Sequence, residues 1–464
     1  MITRRNGEEI MNNNSSKGLE LYQAKYHKDQ SSRSILEDCE KRYTFDDEIE
    51  LFANLVNFST AKEQPYQRWV RYREGYSTLL VKELIERSGF DKGNYYIADP
   101  MMGSGSTLLA AKDIGYDSFG IDVNPYCQTI VELKLLCPDN KTIKSVENIL
   151  IERPWMTAEY EKKEIEIPLM EYFPEENIID VLRIRNWINS IVCGDVKKIV
   201  FAAWLFCLEN VSNRKKDGNG LATRPAPEKD VNAYYCRILT DIIQDFQNSP
   251  LPDNYAYVKT ASATDFSRTI KRYEKTTDKK LGCVIFSPPY ANSFDYFESY
   301  KLELLFGGLY SIEEFNENKK KLIRNYRISN KYAITDSQIE IVEALCREIM
   351  SEVPKKEEKT GKRDGRTRLT PNMLRGYFMD MKKVLFEIYE ALAPGGDCYI
   401  VVDQSAYVGV IIPTDIILAL LGEMTGFTVE KISVCRKAAT SGQQLRQYPY
   451  LKNTLRESIV CLKK

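Results

Sequence analysis

The sequence predicts an α/β fold of the Rossmann-like type, with a mostly parallel sheet, an antiparallel closing strand and helical insertions. Three observations predict it. Strand, Gly-rich turn, helix and strand follow one another from "NYYIADP" to "DSFGIDV", the order of a right-handed βαβ unit. Strand patterns resume in "YAYVKTAS" and "KLGCVIF". Two last apolar stretches, "VEKISVCRK" and "LRESIVCLKK", can form a closing antiparallel pair.

The elements follow in order along the chain. Residues 1–60 are polar and weakly patterned, which favours a flexible or peripheral arm. The stretch from Tyr66 predicts a helix that ends at Gly89, and "GSTLLAAKDIG" predicts one that ends at Gly115. Helical patterns then dominate up to about residue 255, apart from "SNRKKDGNGLATRPAPEKD", which its Gly, Pro and charged residues predict to be a loop.

The last third of the chain returns to the α/β pattern after a second insertion. A long helix, "YFMDMKKVLFEIYEAL", ends at "APGG" and is followed by the strand "DCYIVVD" and the helix "PTDIILALLGEMTGF". The predicted division is an N-terminal arm over 1–60, a core formed by 61–135 with 255–300 and 373–464, a mainly helical insertion over 136–254 and a basic insertion over 301–372.

The composition of the chain limits the kinds of chemistry and of partner that we expect. The 464 residues carry 65 Lys and Arg against 66 Asp and Glu, so a nucleic-acid surface would have to be a local patch. Eleven cysteines without a C-x-x-C pair and the single histidine, His27, argue against a zinc site and against a His-based triad, and we expect no metal. Scattered thiols and an N-terminus without an apolar segment lead us to expect a cytoplasmic protein without a signal peptide or membrane span.

A Gly-rich turn stands first among the candidate functional residues. In "DPMMGSGST", Gly103 and Gly105 can let a ligand approach the backbone, although an ordinary tight turn would look the same. Asp122 ends the next strand about twenty residues later, where α/β folds hold ribose hydroxyls, and its alternative is a helix cap. Asp265, in "SATDF", could accept a hydrogen bond from an adenine amine, and a simple turn aspartate is equally compatible.

Two consecutive prolines end the strand "CVIF" at the same edge of the predicted sheet. Proline donates no hydrogen bond to a neighbouring strand, so the strand stops there and its carbonyls stay available. The hydroxyl of Ser287 and the carbonyl of Pro288 can accept the hydrogens of an amine, and Tyr290 can stack on a planar base. A purely structural explanation of Ser287-Pro288-Pro289-Tyr290 fits the neighbouring motifs less well.

These motifs resemble those of the amino-methyltransferases that use S-adenosylmethionine. The family's D-P-F-x-G-S-G-T reads "DPMMGSGST" here, with Met101 in place of the aromatic residue, and S-P-P-Y resembles the form in DNA cytosine-N4 enzymes. Adenine-N6 enzymes more often carry D-P-P-Y. The resemblance covers about 65–135, 255–300 and 373–464, and "YQRW" to "STLLV" resembles the element that precedes the glycine motif. It implies a class I methyltransferase fold.

The resemblance also implies a role for each motif residue. Asp122 would hold the ribose of S-adenosylmethionine and Asp265 its adenine amine, while the other cofactor contacts would come from the glycine motif, its neighbours and the preceding segment. The target base, flipped out of double-stranded DNA, would be held by the S-P-P-Y residues. The implied cofactor residues are Ser77, Thr78, Asp99, Pro100, Met101, Gly103, Gly105, Asp122, Val123, Asp265 and Phe266, and the implied catalytic residues are Ser287, Pro288, Pro289 and Tyr290.

The implied activity is methylation of the N4 amine of cytosine in DNA, in a restriction–modification or defence setting with a cognate nuclease as a partner. Adenine-N6 modification and an RNA base-amine substrate remain open, as does a catalytically silent nucleic-acid-binding protein on this fold. A C5-cytosine enzyme would need a Pro-Cys nucleophile, and the chain has only the reversed Cys137-Pro138. Candidate phosphate contacts in the insertions are Arg214, Lys215, Lys216, Lys319, Lys320, Lys321, Arg324 and Arg327, unless they form solvated charged faces.

Overall fold

The main sheet of the protein has eight strands, as a computed structural model shows. The structure describes residues 19–56, 63–72, 75–162, 167–217, 220–291, 295–329, 334–438 and 442–464. The strands are β1 (Phe45–Asp47), β2 (Tyr95–Asp99), β3 (Ser118–Asp122), β4 (Arg214–Asp217), β5 (Gly220–Thr223), β6 (Ala256–Thr260), β7 (Lys280–Phe286), β8 (Asp397–Asp403), β9 (Ser405–Tyr407), β10 (Val410–Ile412), β11 (Thr428–Lys437) and β12 (Arg456–Lys463).

The strand order is β1-β11-β12-β8-β7-β2-β3-β6. The neighbours β8, β7, β2, β3 and β6 all pair in parallel, whereas β12 is antiparallel to both β8 and β11. The predicted closing antiparallel pair is therefore present, with Ile432 opposite Val460. This is the predicted Rossmann-like α/β sheet with an antiparallel closing strand, and the fold class is confirmed.

The chain changes direction across the sheet at the β2/β7 boundary. From β2 it proceeds outward to β3 and β6, and it then returns to β7 on the other side of β2 and proceeds to β8. The loops that follow β2 and β7 therefore diverge at one edge of the sheet, at a topological switch point where open α/β sheets bind ligands. Asp99 and Ser287 stand at these two strand ends.

Helices cover both faces of the sheet. In β7, Cys283 and Ile285 face one apolar cluster while Val284 and Phe286 face the other, which explains the continuous apolar run of "CVIF". The helices are α1 (Gln30–Arg42), α2 (Ile49–Phe52), α3 (Thr78–Ser88), α4 (Ser106–Asp113), α5 (Pro125–Lys134), α6 (Asn140–Glu152), α7 (Ile167–Met170), α8 (Glu175–Ser190), α9 (Asp195–Cys207), α10 (Val231–Asn248), α11 (Phe266–Tyr273), α12 (Tyr296–Ser299), α13 (Ile312–Lys319), α14 (Tyr326–Ser329), α15 (Glu340–Thr360), α16 (Thr370–Ala391), α17 (Thr414–Thr425) and α18 (Gly442–Gln447).

The first insertion is mainly helical between residues 136 and 254, but its predicted loop contains a β-hairpin. Strands β4 and β5 pair antiparallel, with Lys216 opposite Leu221. The prediction of a loop was wrong at these residues because a short hairpin of polar residues lacks the alternating apolar pattern that identifies a strand. The other predicted domain boundaries remain predictions.

The N-terminal region is not a peripheral arm where the structure describes it. Helix α1 buries Leu36 against α15 and α17, and β1 adds a parallel strand beside β11. His27, expected in a mobile segment, is buried, and its Nδ1 lies 3.0 Å from Glu348 Oε2. The sequence signal failed because the few apolar residues here are spaced too widely to form a pattern. None of the described helices is long and apolar enough to cross a membrane.

Candidate active site

A cavity of about 820 Å³ lies at the switch point. Its wall is built from the loops that follow β2, β3, β6 and β7, together with the segment before α3 and a segment of the second insertion. The cavity thus combines the Gly-rich turn, the end of β3 and the S-P-P-Y loop in one site. It is lined by Tyr72, Gly75, Tyr76, Pro100, Met101, Met102, Gly103, Ser104, Ser106, Asp122, Val123, Asn124, Ser262, Ala263, Ser287, Pro289, Tyr296, Lys321, Leu322 and Ile323.

A buried hydrogen-bond network joins the ends of β2 and β7 beneath this cavity. The hydroxyl of Tyr76 donates to Asp99 Oδ2 at 3.0 Å, and the hydroxyl of Thr107 donates to the carbonyl of Ile285 at 3.1 Å. The Tyr76 and Thr107 hydroxyl oxygens also contact each other. Burial raises the pKa of Asp99 to about 7, against the opposing effect of the hydrogen bond from Met101. The network fixes the Gly-rich turn relative to the S-P-P-Y loop.

Asp122 organises the Gly-rich turn from the adjacent strand. Its carboxylate accepts the backbone N–H of Gly103 at 3.0 Å and that of Asn124 at 2.9 Å. Burial raises the pKa of Asp122 to about 6. Gly103 has φ +49°, and a Cβ there would approach the Tyr72 ring to 3.0 Å. The turn is thus packed between a carboxylate and an aromatic ring, and only glycine fits it without strain.

Ser287 and Pro289 line the cavity, and the loop is held in place from outside it. The hydroxyl of Tyr407 donates to the carbonyl of Ala291 at 2.6 Å. Pro288 is buried and Tyr290 is half-buried, and neither is among the cavity-lining residues. The structure therefore brings the first and third S-P-P-Y residues, Ser287 and Pro289, to the same space as Gly103 and Asp122.

Three buried polar atoms in the cavity wall have no hydrogen-bond partner among the described residues. They are the hydroxyls of Ser104 and Ser106 and the side-chain nitrogen of Asn124. Buried polar groups are normally satisfied, so such a group of atoms at one cavity favours a polar ligand. Together with the Asp122 carboxylate and the apolar side chains of Met101, Leu322 and Ile323, the wall fits a molecule with both polar and apolar parts, as S-adenosylmethionine is.

Six predicted cofactor residues do not line the cavity. Asp99 lies beneath it, where it accepts a hydrogen bond from Tyr76. The side chain of Ser77 caps α3 by accepting the N–H of Leu79, and Thr78 follows it in the same helix. Gly105 caps α4, behind the turn. The Asp265 side chain is 46% exposed and pairs with Arg268 at 3.4 Å. Phe266 is buried against Phe119 in the core.

The predicted basic residues divide into paired and exposed ones. Lys216 is buried and pairs with Glu303 and Glu209, Lys319 pairs with Asp295 and Glu298, and Arg324 forms two hydrogen bonds to Asp380. These three cations are engaged within the protein. Lys215, Lys320 and Lys321 are exposed, and Lys321 also reaches the cavity. Arg214 lies 4.0 Å from the Tyr172 ring centroid, and the side chain of Arg327 lies outside the described residues.

Sequence reasoning missed several residues of the cavity wall. Tyr72 and Tyr76 line the cavity, whereas the sequence analysis predicted the neighbouring Ser77 and Thr78 as cofactor residues. The aromatic residues before the Gly motif could have indicated the two tyrosines. Ser104, Ser106 and Asn124 adjoin the motifs and could have been included. Nothing in the sequence indicated that residues of the second insertion form part of the cavity wall. Lys321 of that insertion is held there because its carbonyl accepts a hydrogen bond from the Ser262 hydroxyl at 3.2 Å.

The strand order, the antiparallel closing strand and the cavity at the switch point fit the Rossmann-like fold of class I methyltransferases. No protein-family model matches the chain. It is homologous along nearly all its length to type II methyltransferases, so the predicted resemblance to S-adenosylmethionine-dependent amino-methyltransferases is confirmed, and the protein is a methyltransferase.

The relatives are similar over most of their own length as well. M.BsoBI of Geobacillus stearothermophilus is 27% identical, with 92% of this chain and 91% of that protein covered. M.AvaI of a Nostoc species is 28% identical, with 94% and 96% covered. M.MvaI of Kocuria varians is 23% identical over 74% and 77%. A solved rRNA methyltransferase, aviRa of Streptomyces viridochromogenes, covers 84% and 85% at 8% identity, but its TM-score of 0.27 supports no argument.

Proposed function

We propose that the protein transfers a methyl group from S-adenosylmethionine to the N4 exocyclic amine of cytosine in DNA, as the methyltransferase of a restriction–modification system. One observation carries the proposal: Ser287 and Pro289 line the same cavity as Gly103 and Asp122. The Ser287 hydroxyl, an acceptor suited to an amine, thus lies in the same space as a turn suited to a nucleoside. The type II methyltransferases to which the chain is homologous support a DNA substrate and a cognate nuclease.

The residues of the Gly-rich turn would bind the cofactor. Asp122 would accept the ribose hydroxyls, because it stands at the end of the second core strand and already organises the turn. The unpartnered Ser104 and Ser106 hydroxyls and the Asn124 amide would satisfy further polar groups. The bound cofactor supplies a methyl group that its sulfonium already activates. The protein's task is therefore to position the amine and to exclude water.

The S-P-P-Y loop would orient the amine. The cytosine N4 lone pair is delocalised into the ring, so the amine is a poor nucleophile. Acceptors at the Ser287 hydroxyl and the Pro288 carbonyl would bind its two hydrogens and favour a more pyramidal nitrogen. Tyr290 would stack on the base. The hydrogen bonds from Tyr76 to Asp99 and from Thr107 to Ile285 hold this loop against the turn that would bind the cofactor, which favours in-line transfer.

The residues of the cavity argue against a C5-cytosine reaction. That chemistry needs a thiolate beside the base, and no cysteine is among the cavity-lining residues. Cys127 lies behind Tyr72, 3.5 Å from its hydroxyl, and burial raises the pKa of the Cys127 thiol well above its ordinary value. Cys137 lines a separate cavity. An exocyclic amine is the better acceptor for this site.

The test identifies the product directly. The protein is incubated with S-adenosylmethionine and unmethylated duplex DNA, single-stranded DNA or RNA, and the digested nucleosides are analysed by mass spectrometry. N4-methylcytosine in duplex DNA is the expected product. N6-methyladenine or 5-methylcytosine alone would contradict the proposed base, and product in RNA alone would contradict the proposed substrate.

Two variants test the S-P-P-Y loop separately from the cofactor site. Ser287→Ala and Tyr290→Ala should reduce methyl transfer at least about 100-fold, the loss expected for misplacing a reacting group. Binding of S-adenosylmethionine, measured by calorimetry, should change less than about threefold, because neither change touches Gly103 or Asp122. Full transfer activity in either variant would refute the role of that residue.

A further inference from the structure

A second cavity of about 840 Å³ lies beside the S-P-P-Y loop. Strand β8 neighbours β7 and runs parallel to it, so the residues that follow β8 emerge at the same edge of the sheet as Ser287. Ser405 and Tyr407, in β9, line the second cavity, and the Tyr407 hydroxyl holds the carbonyl of Ala291. No residue lines both cavities. Tyr407 of the second cavity thus contacts the loop whose first and third residues line the first one.

The chemistry of the second cavity differs from that of the first. Its wall contains the guanidinium of Arg366, the rings of Tyr326 and Tyr407 and the polar side chains of Thr367 and Gln444. The Arg366 guanidinium lies 5.6 Å from the Tyr326 ring centroid. None of the residues that line this cavity is acidic, whereas the first cavity contains Asp122.

Charge and shape together point to a nucleotide. A guanidinium in a wall without carboxylates suits a phosphate, and tyrosine rings with hydroxyl and amide groups suit a sugar and base. Asp364, which caps Thr367 from behind, is neutralised by Lys356 at 2.6 Å. Arg366 itself is exposed and can meet a ligand that approaches from solvent.

We propose that the second cavity binds the substrate strand beside the target nucleotide, with a backbone phosphate at Arg366 and the adjoining sugar and base against Tyr326 and Tyr407. The reacting base has to reach Ser287 in the first cavity, so the space beyond the loop takes its neighbour. This assignment rests on the proposed DNA substrate. It makes Arg366 a substrate contact within the second insertion.

The test compares Arg366→Gln with Arg363→Gln, an exposed arginine nearby that does not line the cavity. Binding of a fluorescently labelled random-sequence DNA duplex is measured by anisotropy over a series of salt concentrations. We expect Arg366→Gln to weaken binding about tenfold and to lower the slope of log Kd against log salt by about 0.9, the value for one lost phosphate contact. Arg363→Gln should keep the wild-type affinity and slope.

Three further measurements separate this role from a structural one. Arg366→Lys should recover most of the salt slope, the calorimetric Kd for S-adenosylmethionine should stay within twofold, and the midpoint of thermal unfolding should not move. Wild-type affinity and slope in Arg366→Gln, or equal losses in Arg363→Gln, would overturn the inference. The measured quantity here is DNA binding and not methylation. If the protein bound DNA without methylating it, the proposed function would be refuted, and the comparison of Arg366→Gln with Arg363→Gln would still show whether the second cavity binds DNA.

Discussion

Two carboxylates of the active site, the buried Asp99 and the half-buried Asp122, have raised pKa values. Each accepts hydrogen bonds from nearby groups, yet burial raises the pKa of both above the ordinary value of an aspartate. A raised pKa means that the folded chain holds its protons more tightly than the unfolded chain does. The free energy of unfolding contributed by such a group therefore falls as pH rises between the two pKa values.

The pH dependence of the free energy of unfolding should be larger for Asp99 than for Asp122. Its pKa of about 7 in the folded state, against about 3.9 when unfolded, corresponds to about 4 kcal/mol lost between pH 4 and pH 7. Asp99→Asn cannot titrate, so its free energy of unfolding relative to wild type should rise by about that amount over this range. Urea unfolding without cofactor at several pH values measures it, with the exposed Asp38→Asn as the control. Parallel curves for Asp99→Asn and wild type would contradict the prediction.

Asp122 should control cofactor affinity through its charge. With a pKa of about 6, the carboxylate is ionised above that pH and becomes a weaker acceptor for ribose hydroxyls below it. We expect the calorimetric Kd for S-adenosylmethionine to rise up to about tenfold per pH unit below 6. Asp122→Asn should bind about 10- to 100-fold more weakly at pH 8 and show little pH dependence. Asp265→Asn, outside the cavity, should match wild type, and an equal loss there would contradict the assignment.

The Gly-rich turn shows at the level of one element why its sequence is restricted. Gly105 has φ +82°, and a Cβ would come within 2.6 Å of Val131 Cγ2 on α5. Gly105→Ala should therefore cost about 3 kcal/mol, from the left-handed backbone and the clash together. Gly89→Ala, with φ +68° and open space around it, should cost only about 1 kcal/mol. Urea unfolding measures both, and equal costs would exclude the clash with Val131.

The β4–β5 hairpin is attached to the core through a buried cation. Lys216 is 3% exposed, pairs with Glu303 and with Glu209 at 3.2 Å, and lies 4.4 Å from the Tyr300 ring centroid. Burial alone would lower the pKa of Lys216, but the two carboxylates raise it above its ordinary value. The Tyr300 ring in turn stacks on Tyr72 of the cavity wall, with centroids 5.5 Å apart.

Removing this cation should be costly. Lys216→Met leaves Glu303 buried without its partner, and the free energy of unfolding should fall by about 3–5 kcal/mol. Lys216→Met combined with Glu303→Leu should recover most of that loss, since the uncompensated charge is gone. The neighbouring exposed Lys215→Met should have no effect on urea unfolding. A loss below about 1 kcal/mol in Lys216→Met would show that Glu303 is compensated in another way.

Elements differ in how far the sequence determines them. The core strands and the Gly-rich turn were predictable, because a buried parallel strand such as β7 is continuously apolar and its ending is marked by Gly or Pro. The ion pair between Lys216 of the hairpin and Glu303 was not predictable, because Glu303 lies 87 residues away and no local sequence pattern indicates the pair. Asp265 had the expected position in the sequence, yet its side chain turns to Arg268 three residues later, a pairing that the helical spacing of the two residues could have indicated.

At the scale of the whole molecule, the N-terminal region completes the sheet and supports its closing half. The side chain of Gln23 bonds to Gln404, whose amide also donates to Asp415. Asp415 in turn accepts from Arg456 in β12, and neither side chain of this ion pair is exposed. Gln23 and strand β12 are therefore joined in one buried network, through Gln404, which lines the second cavity. Loss of the N-terminal packing should therefore lower the stability of the whole fold.

Leu36→Ala tests that connection. Leu36 is fully buried where α1 meets α15 and α17, so the truncation should cost about 2–5 kcal/mol. If the N-terminal region belongs to one cooperative unit, thermal unfolding followed by tyrosine fluorescence should stay a single transition with a lower midpoint. S-adenosylmethionine should then raise the midpoints of Leu36→Ala and of wild type by the same amount. Ser34→Ala, on the exposed side of α1, should leave the midpoint unchanged. A separate early transition in Leu36→Ala, insensitive to the cofactor, would instead mean that α1 unfolds independently of the methyltransferase sheet.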